Sequence, residues 1–353
     1  MSARLPATCQ GKGWALRTIT YSANFTLATT LWCVNRCGYC SFRSDAPILM
    51  NLEECERIGR AALEGGAVEA LIMTGEGIDR HAGLRNQLKE WGFGSYAAYT
   101  AEICRRYLEI GLLPHTNIGT LEEWELELLK PYNVSMGMMV ETVSPEADRI
   151  AHRAAPTKTP ALRLASLEAA GRLGIAFTTG ILIGIGERPE ERIRALEAIA
   201  DLHARYGHIQ EVILQPLNPQ PMTPMARWER PGDGEIARLI PEVHRLMPGV
   251  HVQVPPNLVD DLPALLETGA DDIGGIAPEP DFINPDRPWP ELESLDRKLQ
   301  ARDIALRLRM PIYDEFIEAG WCPEAARPAL DNQLARRTEA DAAPRADAAA
   351  RVS

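Results

Sequence analysis

The chain has 353 residues, 45% of them hydrophobic, so it can bury a large core, and α/β barrels of this size often form one domain. Its formal net charge of −12 provides no broad positive field, which disfavours nucleic acid and anionic lipid as partners. No apolar run approaches the ~20 residues of a membrane span, and the first residues lack the apolar region of a signal peptide. We therefore expect a cytoplasmic protein with no membrane or nucleic-acid partner.

Short apolar or β-branched runs alternate along the chain with helical patterns. The runs predict strands at residues 23–30, 68–74, 112–118, 133–141, 175–184, 209–215, 250–254 and, weakly, 271–276. The predicted caps of the intervening helices include Asn51, Thr120 and Thr159. Because each helix must cross back over the sheet, this alternation predicts parallel strands. The fold class is therefore α/β, a (β/α)8 TIM-type barrel that is closed or incompletely closed.

The predicted domain organisation has three parts. Residues 1–17 form an N-terminal extension, residues 18–322 form the barrel, and residues 323–353 form a disordered tail because they contain almost no large apolar side chain. Two strand-to-helix connections, 75–95 and 216–231, are longer than barrel closure requires. Long loops on this side of a barrel indicate the face that carries the active site.

The segment LWCVNRCGYCSF, residues 31–42, places Cys33, Cys37 and Cys40 directly after the first predicted strand. Three thiols this close could bind zinc, form a redox pair, or hold an iron–sulfur cluster. A structural zinc site wants four ligands, and no fourth Cys or His follows at a suitable spacing. A Cys37–Cys40 redox pair leaves Cys33 unexplained. Soft thiolates match iron–sulfur chemistry, and one loop can wrap the corner of a cluster.

The C-x3-C-x2-C loop resembles the signature of the radical S-adenosylmethionine (SAM) superfamily. The resemblance implies one [4Fe–4S] cluster, with three irons held by Cys33, Cys37 and Cys40 and the fourth iron open for SAM. It extends in chain order to Thr74-Gly75-Glu76 and to GILIGIGE at 180–187. The SAM-binding residues that it implies are Tyr39, Gly75, Glu76, Glu141, Arg163, Gly180, Ile183 and Gly184. Each element taken alone could instead be an ordinary turn, strand end or surface arginine.

A closer resemblance covers nearly all of residues 18–320. The stretches ITYSANFTL, LLPHTNIG, FTTGILIGIGE, VQVPPNL and GADDIGGIAPEPDFINPDRPWPEL are similar to those of the FO synthase family, specifically its CofG branch. FO is 7,8-didemethyl-8-hydroxy-5-deazariboflavin, a precursor of the deazaflavin coenzyme F-420. The resemblance implies radical cyclisation of a tyrosine–ribitylaminouracil adduct, with release of ammonia. It also implies two partners, a CofH-type enzyme that supplies the adduct and a ferredoxin- or flavodoxin-type electron donor.

A ribityl-uracil substrate is neutral and rich in hydroxyls and amides, so its site should offer polar side chains and backbone groups. The candidates near predicted strand ends are His115, Asn117, Gln215, Asn257, Asp271, Asp272 and Asn284. Some have structural alternatives, since Asn257 could cap a helix and the two aspartates could shape a turn. The sequence departs from the family pattern after residue 215 and at Ile273, which leaves open a CofH-like, aminofutalosine-type or biotin-synthase-like enzyme, or a non-catalytic cluster protein.

Overall fold

The protein is described by a computed structural model that covers residues 17–278, 281 and 283–342. The strands are β1 (Arg17–Leu27), β2 (Glu69–Met73), β3 (Leu113–Asn117), β4 (Ser135–Gly137), β5 (Phe177–Ile183), β6 (Ile209–Pro216), β7 (His251–Gln253), β8 (Asp272–Ile276) and β9 (Ile304–Leu308). The helices are α1 (Leu52–Glu64), α2 (Ala82–Glu90), α3 (Tyr96–Ile110), α4 (Glu123–Leu129), α5 (Pro145–Ala151), α6 (Pro160–Arg172), α7 (Pro189–Tyr206), α8 (Asp233–Leu246), α9 (Leu262–Glu267), α10 (Leu292–Gln300), α11 (Asp314–Glu318) and α12 (Arg327–Ala342).

The first eight strands form a closed parallel barrel, which confirms the predicted fold class. They are hydrogen-bonded in chain order from β2 to β8, and β1 closes the ring by pairing with both β8 and β2. Helices cover the outside, so a strand can be buried on both faces and read as a continuous apolar run. Strand β5 is the clearest case, since all of Phe177–Ile183 is buried.

Strand β9 lies outside the closed ring and is absent from the predicted strands. It pairs in parallel with the first half of β1, from Arg17↔Ile304 to Tyr21↔Leu308. This pairing explains why β1 begins six residues before the predicted start at 23. The segment after β9 turns under the N-terminal end of the barrel, where the carbonyl of Pro311 accepts hydrogen bonds from Ser135 and Gln210.

The predicted helix starts are correct in two of three places. The side chain of Asn51 accepts a hydrogen bond from the Glu54 amide at 2.8 Å and caps α1, and Thr159 precedes the proline that opens α6. The cap at Thr120 is wrong, because α4 begins at Glu123 and is capped by Glu122 through a capping box.

The predicted disordered tail is wrong for residues 323–342. These residues form a short helical turn and α12, and Leu330 is fully buried against the barrel. The side chain of Gln333 also donates to the carbonyl of Gly111 at 2.6 Å. A few small apolar residues were enough to dock this helix, which a composition rule for disorder overlooks. The rest of the tail, 343–353, and most of the predicted extension, 1–16, lie outside the described residues.

None of the described helices is long and apolar enough to cross a membrane.

Candidate active site

The C-terminal ends of the barrel strands surround a cavity of about 320 Å³, a size typical of small-molecule sites. Its open end, which we call the mouth, is bordered by the loops after the strands; its closed end, the floor, is lined by Arg309 and Pro311 after β9. Most of the predicted site residues line it, namely Cys33, Cys37, Tyr39, Cys40, Gly75, Glu76, His115, Asn117, Glu141, Arg163, Gln215, Asn257 and Asn284. The structure therefore brings most of the predicted site residues together at one end of the barrel.

The cysteine loop is held at the mouth by backbone hydrogen bonds to three other segments. The amide of Val34 donates to Glu76 at 2.9 Å, that of Gly38 to Ala151 at 2.7 Å, and that of Met225 to Gly38 at 2.9 Å. A Cβ atom at Gly38 would lie 3.2 Å from the Met225 sulfur. Gly38 therefore permits close packing of the loop rather than an unusual backbone angle.

The three cysteines suit an iron–sulfur cluster in donor chemistry and position. Sγ of Cys33 accepts hydrogen bonds from the amides of Glu76 (3.2 Å) and Asn35 (3.4 Å), as ligand sulfurs of such clusters commonly do. Burial raises the pKa of Cys33, and raises that of Cys37 to about 12. Among the described residues no three Cys, His, Asp or Glu side chains converge on a single metal ion. Thiolates that hold separate irons of one cluster need not converge on one point.

Two acids and two bases form a buried charged group beside the cysteines. The Nζ atom of Lys158 lies 2.6 Å from Glu141 and 3.3 Å from Glu76, and Arg163 pairs with Glu76. Burial raises the pKa of Glu76, but the charges of Arg163 and Lys158 outweigh it and lower the pKa to about 2. These four residues, the mouth quartet, are charge-balanced, as buried ions must be.

The remaining bonds of the quartet tie it to the cysteine loop. Thr157 donates to Glu76 at 2.5 Å and is itself bonded to the side chain of Asn35 in that loop, and Arg163 donates to the carbonyl of Met139 at 2.7 Å. Glu141 adopts φ 68°, a conformation that non-glycine residues rarely hold and that tends to occur at functional sites.

Gly75 lies where the structure has no room for a larger residue. A Cβ atom there would lie 1.9 Å from the carbonyl oxygen of Trp32, at the start of the cysteine loop. Gly119, which follows β3, leaves room for the side chain of Glu76, since a Cβ atom at Gly119 would lie 2.2 Å from Cγ of Glu76. Gly119 also has φ +93°. Gly119 was not among the predicted site residues. Only glycine allows the Thr-Gly-Glu turn to lie between the cysteine loop and the end of β3.

Gly180 on β5 and Gly184 directly after it do not line the cavity in the described structure. A Cβ at Gly180 would lie 2.2 Å from the Ile213 carbonyl oxygen, so this glycine permits close pairing with β6. Gly184 has φ +95° and its amide donates to Glu187 at 2.7 Å, which shapes the turn after the strand. Ile183 is fully buried in the core. Their predicted part in binding SAM stays a prediction.

Asp271 and Asp272 lie at the N-terminal end of β8, away from the cavity lining, so the structure does not bring these two substrate candidates to the site. Asp271 accepts a hydrogen bond from His251 at 2.8 Å, and Asp272 pairs with Arg309 at 2.6 Å. The predicted strand 271–276 already begins with these two residues, and in a parallel barrel that end of a strand lies opposite the active-site face. Both aspartates hold the underside of the barrel together.

The other polar candidates separate into two groups. Asn117 and Gln215 line the cavity and make no side-chain hydrogen bond within the described residues. Asn257 and Asn284 both bond to Asp281 at 3.0 Å and so connect the loops after β7 and β8. The same loop group contains side chains that sequence reasoning missed, namely Asn218, Gln220, Asp281 and Asp286.

Sequence reasoning also missed polar side chains inside the barrel and at its mouth. They are Asn24, Glu69, Lys158, Thr178, Glu211, Gln253 and Arg309, all of which line the cavity. A signal existed for two of them, because Glu69 and Glu211 interrupt the apolar strands VEALIMT and IQEVILQ. A charged residue inside a fully buried strand must be paired or must face a polar cavity.

Comparison with known proteins agrees with this geometry. The model of the radical SAM superfamily matches residues 27–199. The [FeFe]-hydrogenase maturase HydG from Carboxydothermus hydrogenoformans superposes with a TM-score of 0.66 at 19% identity, covering 91% of this chain and 78% of that one. Methylornithine synthase (PylB) superposes with a TM-score of 0.62 at 18% identity, covering 87% of each chain. At these identities the likeness establishes the fold alone.

Relatives of much higher identity exist among curated proteins. The 7,8-didemethyl-8-hydroxy-5-deazariboflavin synthase of Methanothermobacter thermautotrophicus is 44% identical over 304 residues, 85% of this chain and 93% of that protein. The synthase of the same name from Archaeoglobus fulgidus is 42% identical over 319 residues, 90% of this chain and 97% of that protein. The chain therefore belongs to the radical SAM superfamily and, within it, to the 7,8-didemethyl-8-hydroxy-5-deazariboflavin synthase family.

Proposed function

We propose that the protein is an FO synthase of the CofG type, an ammonia-releasing radical SAM lyase of coenzyme F-420 biosynthesis. Its substrate is the adduct 5-amino-5-(4-hydroxybenzyl)-6-(D-ribitylimino)-5,6-dihydrouracil, and its products are FO and ammonia. The observation that carries the proposal is 44% identity across 93% of a synthase of this name, joined to a cavity that has three cysteines at its mouth and polar side chains in its lining.

Cys33, Cys37 and Cys40 are the residues that would hold one [4Fe–4S] cluster. The other described cysteines, Cys55, Cys104 and Cys322, are dispersed. When bound, the cluster and SAM together supply the 5′-deoxyadenosyl radical, which removes a hydrogen atom from an unactivated carbon. The protein's part is to position SAM and substrate and to exclude water from the radical.

The mouth quartet matches the charges of SAM. Its acids, Glu76 and Glu141, suit the ammonium group, and Arg163 and Lys158 suit the carboxylate. Since Arg163 is only 1% exposed and already bonded, the site is ordered before SAM arrives, so little side-chain entropy is lost on binding. Tyr39, whose hydroxyl lies 3.1 Å from His152, is part of the cysteine loop, and we place the adenine beside it.

The cavity below the quartet suits a neutral substrate dense in hydrogen-bonding groups. Asn117 and Gln215, on opposite sides of the barrel, present unbonded amides that can pair with the uracil. Met73, Met138 and Leu182 add apolar surface that can accept the hydroxybenzyl ring. The departures from the family pattern after residue 215 place Pro216 and Leu217 in the cavity lining, whereas Ile273 is core.

Two partners complete the proposal. A CofH-type enzyme makes the adduct from tyrosine and 5-amino-6-ribitylaminouracil, and a ferredoxin- or flavodoxin-type protein delivers the electron. Neither is part of the structure, and the support for both is family membership alone.

Anaerobic turnover tests the proposal. Reconstituted protein, SAM, dithionite and the adduct should yield fluorescent FO and 5′-deoxyadenosine, with about four irons per chain expected for one cluster. The variant Cys37→Ala is the matched blank, because it should form neither product.

Formation of deoxyadenosine without FO would refute the substrate assignment and favour a CofH-like or aminofutalosine-type relative. Markedly more than four irons would favour a sulfur-inserting enzyme of the biotin-synthase kind. If SAM leaves the EPR spectrum of the reduced cluster unchanged, the cluster does not bind SAM and the enzyme proposal fails.

A further inference from the structure

The floor of the cavity carries polar side chains from several different strands. Asn24 lies on β1, Glu69 on β2, His115 on β3 and Gln253 on β7, and all four line the cavity. We call these four side chains the floor residues. In the ring order β7-β8-β1-β2-β3 they form one continuous arc of the barrel wall, interrupted only by β8. Asn24 and Glu69 are direct neighbours across the β1–β2 ladder.

Strand β8 adds no polar side chain to this arc, and its two glycines leave room for the side chains of the neighbouring strands. A Cβ atom at Gly274 would lie 2.2 Å from the Gln253 side-chain nitrogen, and one at Gly275 would lie 2.1 Å from that of Asn24. The Gly-Gly pair therefore makes room for the two amides that flank it. Gly137 on β4 does the same for His115, since its Cβ would lie 2.6 Å from Nε2. Three glycines thus keep this arc open.

The floor residues have hydrogen-bonding capacity that the protein does not use. Asn24, Glu69 and His115 are each more than nine-tenths buried, and burying such groups without partners is costly. Nevertheless no hydrogen bond within the described residues reaches the side-chain amide groups of Asn24 and Gln253. Oδ1 of Asn24 is buried and has no partner among those residues. Glu69 uses only Oε2, which accepts from Ser22 at 2.5 Å. All four side chains line one cavity, which indicates that a polar ligand completes them.

His115 is held as a neutral acceptor. The hydroxyl of Ser135 donates its single proton to the carbonyl of Pro311 at 2.5 Å, so Ser135 can only accept from Nδ1 of His115, 2.7 Å away. That assignment puts the imidazole proton on Nδ1 and leaves the Nε2 lone pair facing the cavity. Burial, and then the charge of Arg309, lower the pKa of His115 to about 3, so the ring stays neutral at physiological pH.

The charged groups next to the floor residues are already satisfied. Arg309 pairs with Asp272 at 2.6 Å and with Glu211 at 2.9 Å, and Glu211 also accepts from Tyr313 at 2.8 Å. The groups left for a ligand are therefore the free oxygen of Glu69 and Nε2 of His115, flanked by two side-chain amides that both donate and accept. A row of hydroxyl groups has this complement, because each hydroxyl donates once and accepts as well.

We infer that the floor residues bind the polyhydroxylated side chain of the substrate, with the ring system above them toward the mouth. The inference rests on the proposed function. The carbon that reacts must lie beside the SAM site, so the chain attached to the uracil extends away from the mouth, and the floor is the polar surface in that direction. Asn24, Glu69, His115 and Gln253 are thus specificity residues, and the radical chemistry takes place on other atoms.

The test compares two adducts that differ only in this chain, the natural D-ribityl compound and an n-pentyl analogue. Both products carry the same fluorescent deazaflavin ring. Wild type should prefer the ribityl adduct by about 100-fold or more in kcat/KM, since a site built for hydroxyls is left with unpaired buried groups by the alkyl chain. Glu69→Gln and Gln253→Leu should each lower kcat/KM for the ribityl adduct about 10-fold and change that for the pentyl adduct less than about 3-fold.

Two features of the design keep a folding defect from imitating the result. Gln253 is partly exposed, and its side chain makes no hydrogen bond to the residues that the structure describes, so Gln253→Leu leaves none of their polar groups unpaired. Glu127→Gln on the exposed face of α4 is the same chemical change as Glu69→Gln and should leave both rates at the wild-type value. Iron content and uncoupled cleavage of SAM should be unchanged in all variants.

The outcomes separate the two proposals. If wild type makes FO but the floor variants lower turnover of both adducts equally, these residues contact the shared ring system and the inference is wrong. If the variants keep the wild-type ratio of kcat/KM between the ribityl and pentyl adducts, the inference is wrong as well. If wild type makes no FO from the ribityl adduct, the proposed function fails and the inference fails with it.

Discussion

The mouth and the floor of the same cavity treat their polar groups in opposite ways. At the mouth, Glu76, Glu141, Arg163 and Lys158 neutralise one another, and Arg163 has a backbone bond as well. At the floor, His115 Nε2 and the amides of neighbouring residues face the cavity without partners. This difference indicates that the mouth is ordered before any ligand binds, whereas the polar side chains at the floor complete their hydrogen bonds only with the substrate. We expect substitutions at the two ends to separate in what they impair.

The largest effect should follow loss of a single cysteine of the loop. Cys33→Ala, Cys37→Ala and Cys40→Ala should each abolish cluster retention and SAM cleavage, because three thiolates leave no spare ligand. Iron analysis and deoxyadenosine formation measure this. Cys322→Ala, which removes a thiol far along the chain, is the control and should keep the wild-type iron content. Wild-type iron in any of the three loop variants would contradict the ligand assignment.

The next effect should come from the mouth quartet. Arg163→Ala leaves Glu76 and Glu141 with Lys158 as their one cation, so SAM binding should weaken by about 10- to 100-fold while the cluster is retained. Equilibrium binding of SAM to the reconstituted protein measures the loss. Arg172→Ala on the same helix, whose side chain is 44% exposed, should bind SAM as wild type does. Loss of iron in Arg163→Ala would instead make this arginine a structural support of the loop.

The two ends also differ in how far the sequence foretells them. The mouth comes from contiguous stretches, so the C-x3-C-x2-C loop, Thr74-Gly75-Glu76 and Glu141 can be recognised as strings of letters. The floor takes one residue from each of several strands, and those residues meet only after the barrel closes. Glu69 is one inward position in an alternating strand, and nothing in the sequence states which side chains across the barrel it will meet.

Eight strands and their parallel order followed from periodicity, because alternation with helices leaves few other arrangements. Strand β9, with the sequence IALRL, was absent from the predicted strands because it is short and pairs with the first part of β1, which itself reads as polar. Asp271 and Asp272 begin the predicted strand 271–276, so the direction of the strand itself argues against their contacting a substrate at the other end of the barrel. Helix α12 has little amphipathic pattern, and its docking depends on Leu330 finding a pocket that the barrel provides.

A smaller effect, on stability rather than chemistry, should come from the cation at the floor. Arg309→Met leaves Asp272 and Glu211 buried without it, which should lower the free energy of unfolding by about 3 to 5 kcal/mol. Urea denaturation measures this. Arg307→Met is the control, because its pair with Asp314 is largely exposed and contributes less than about 1 kcal/mol. If Arg309→Met lost iron without losing stability, the two ends would not be separable.

The smallest effect should be a pH dependence on the underside of the barrel. Burial alone lowers the pKa of His251, but the carboxylates of Asp271 and Glu315, 2.8 and 2.9 Å from its ring, outweigh burial and raise the pKa to about 10. The ring also stacks on Tyr313 at 3.9 Å. A folded pKa above the unfolded value of about 6.5 means that the stabilisation is complete below pH 6.5 and is lost as the pH rises toward 10.

His251→Gln should therefore cost about 1 to 2 kcal/mol of unfolding free energy at pH 6 and much less at pH 10, because the neutral ring gains little from the two carboxylates. Urea denaturation at the two pH values measures the difference. His244→Gln is the matched control, since its ring bonds to the backbone carbonyl of Gly269 at 3.0 Å rather than to carboxylates. An equal cost for His251→Gln at both pH values would mean that stacking on Tyr313, and not charge, holds the underside of the floor in place.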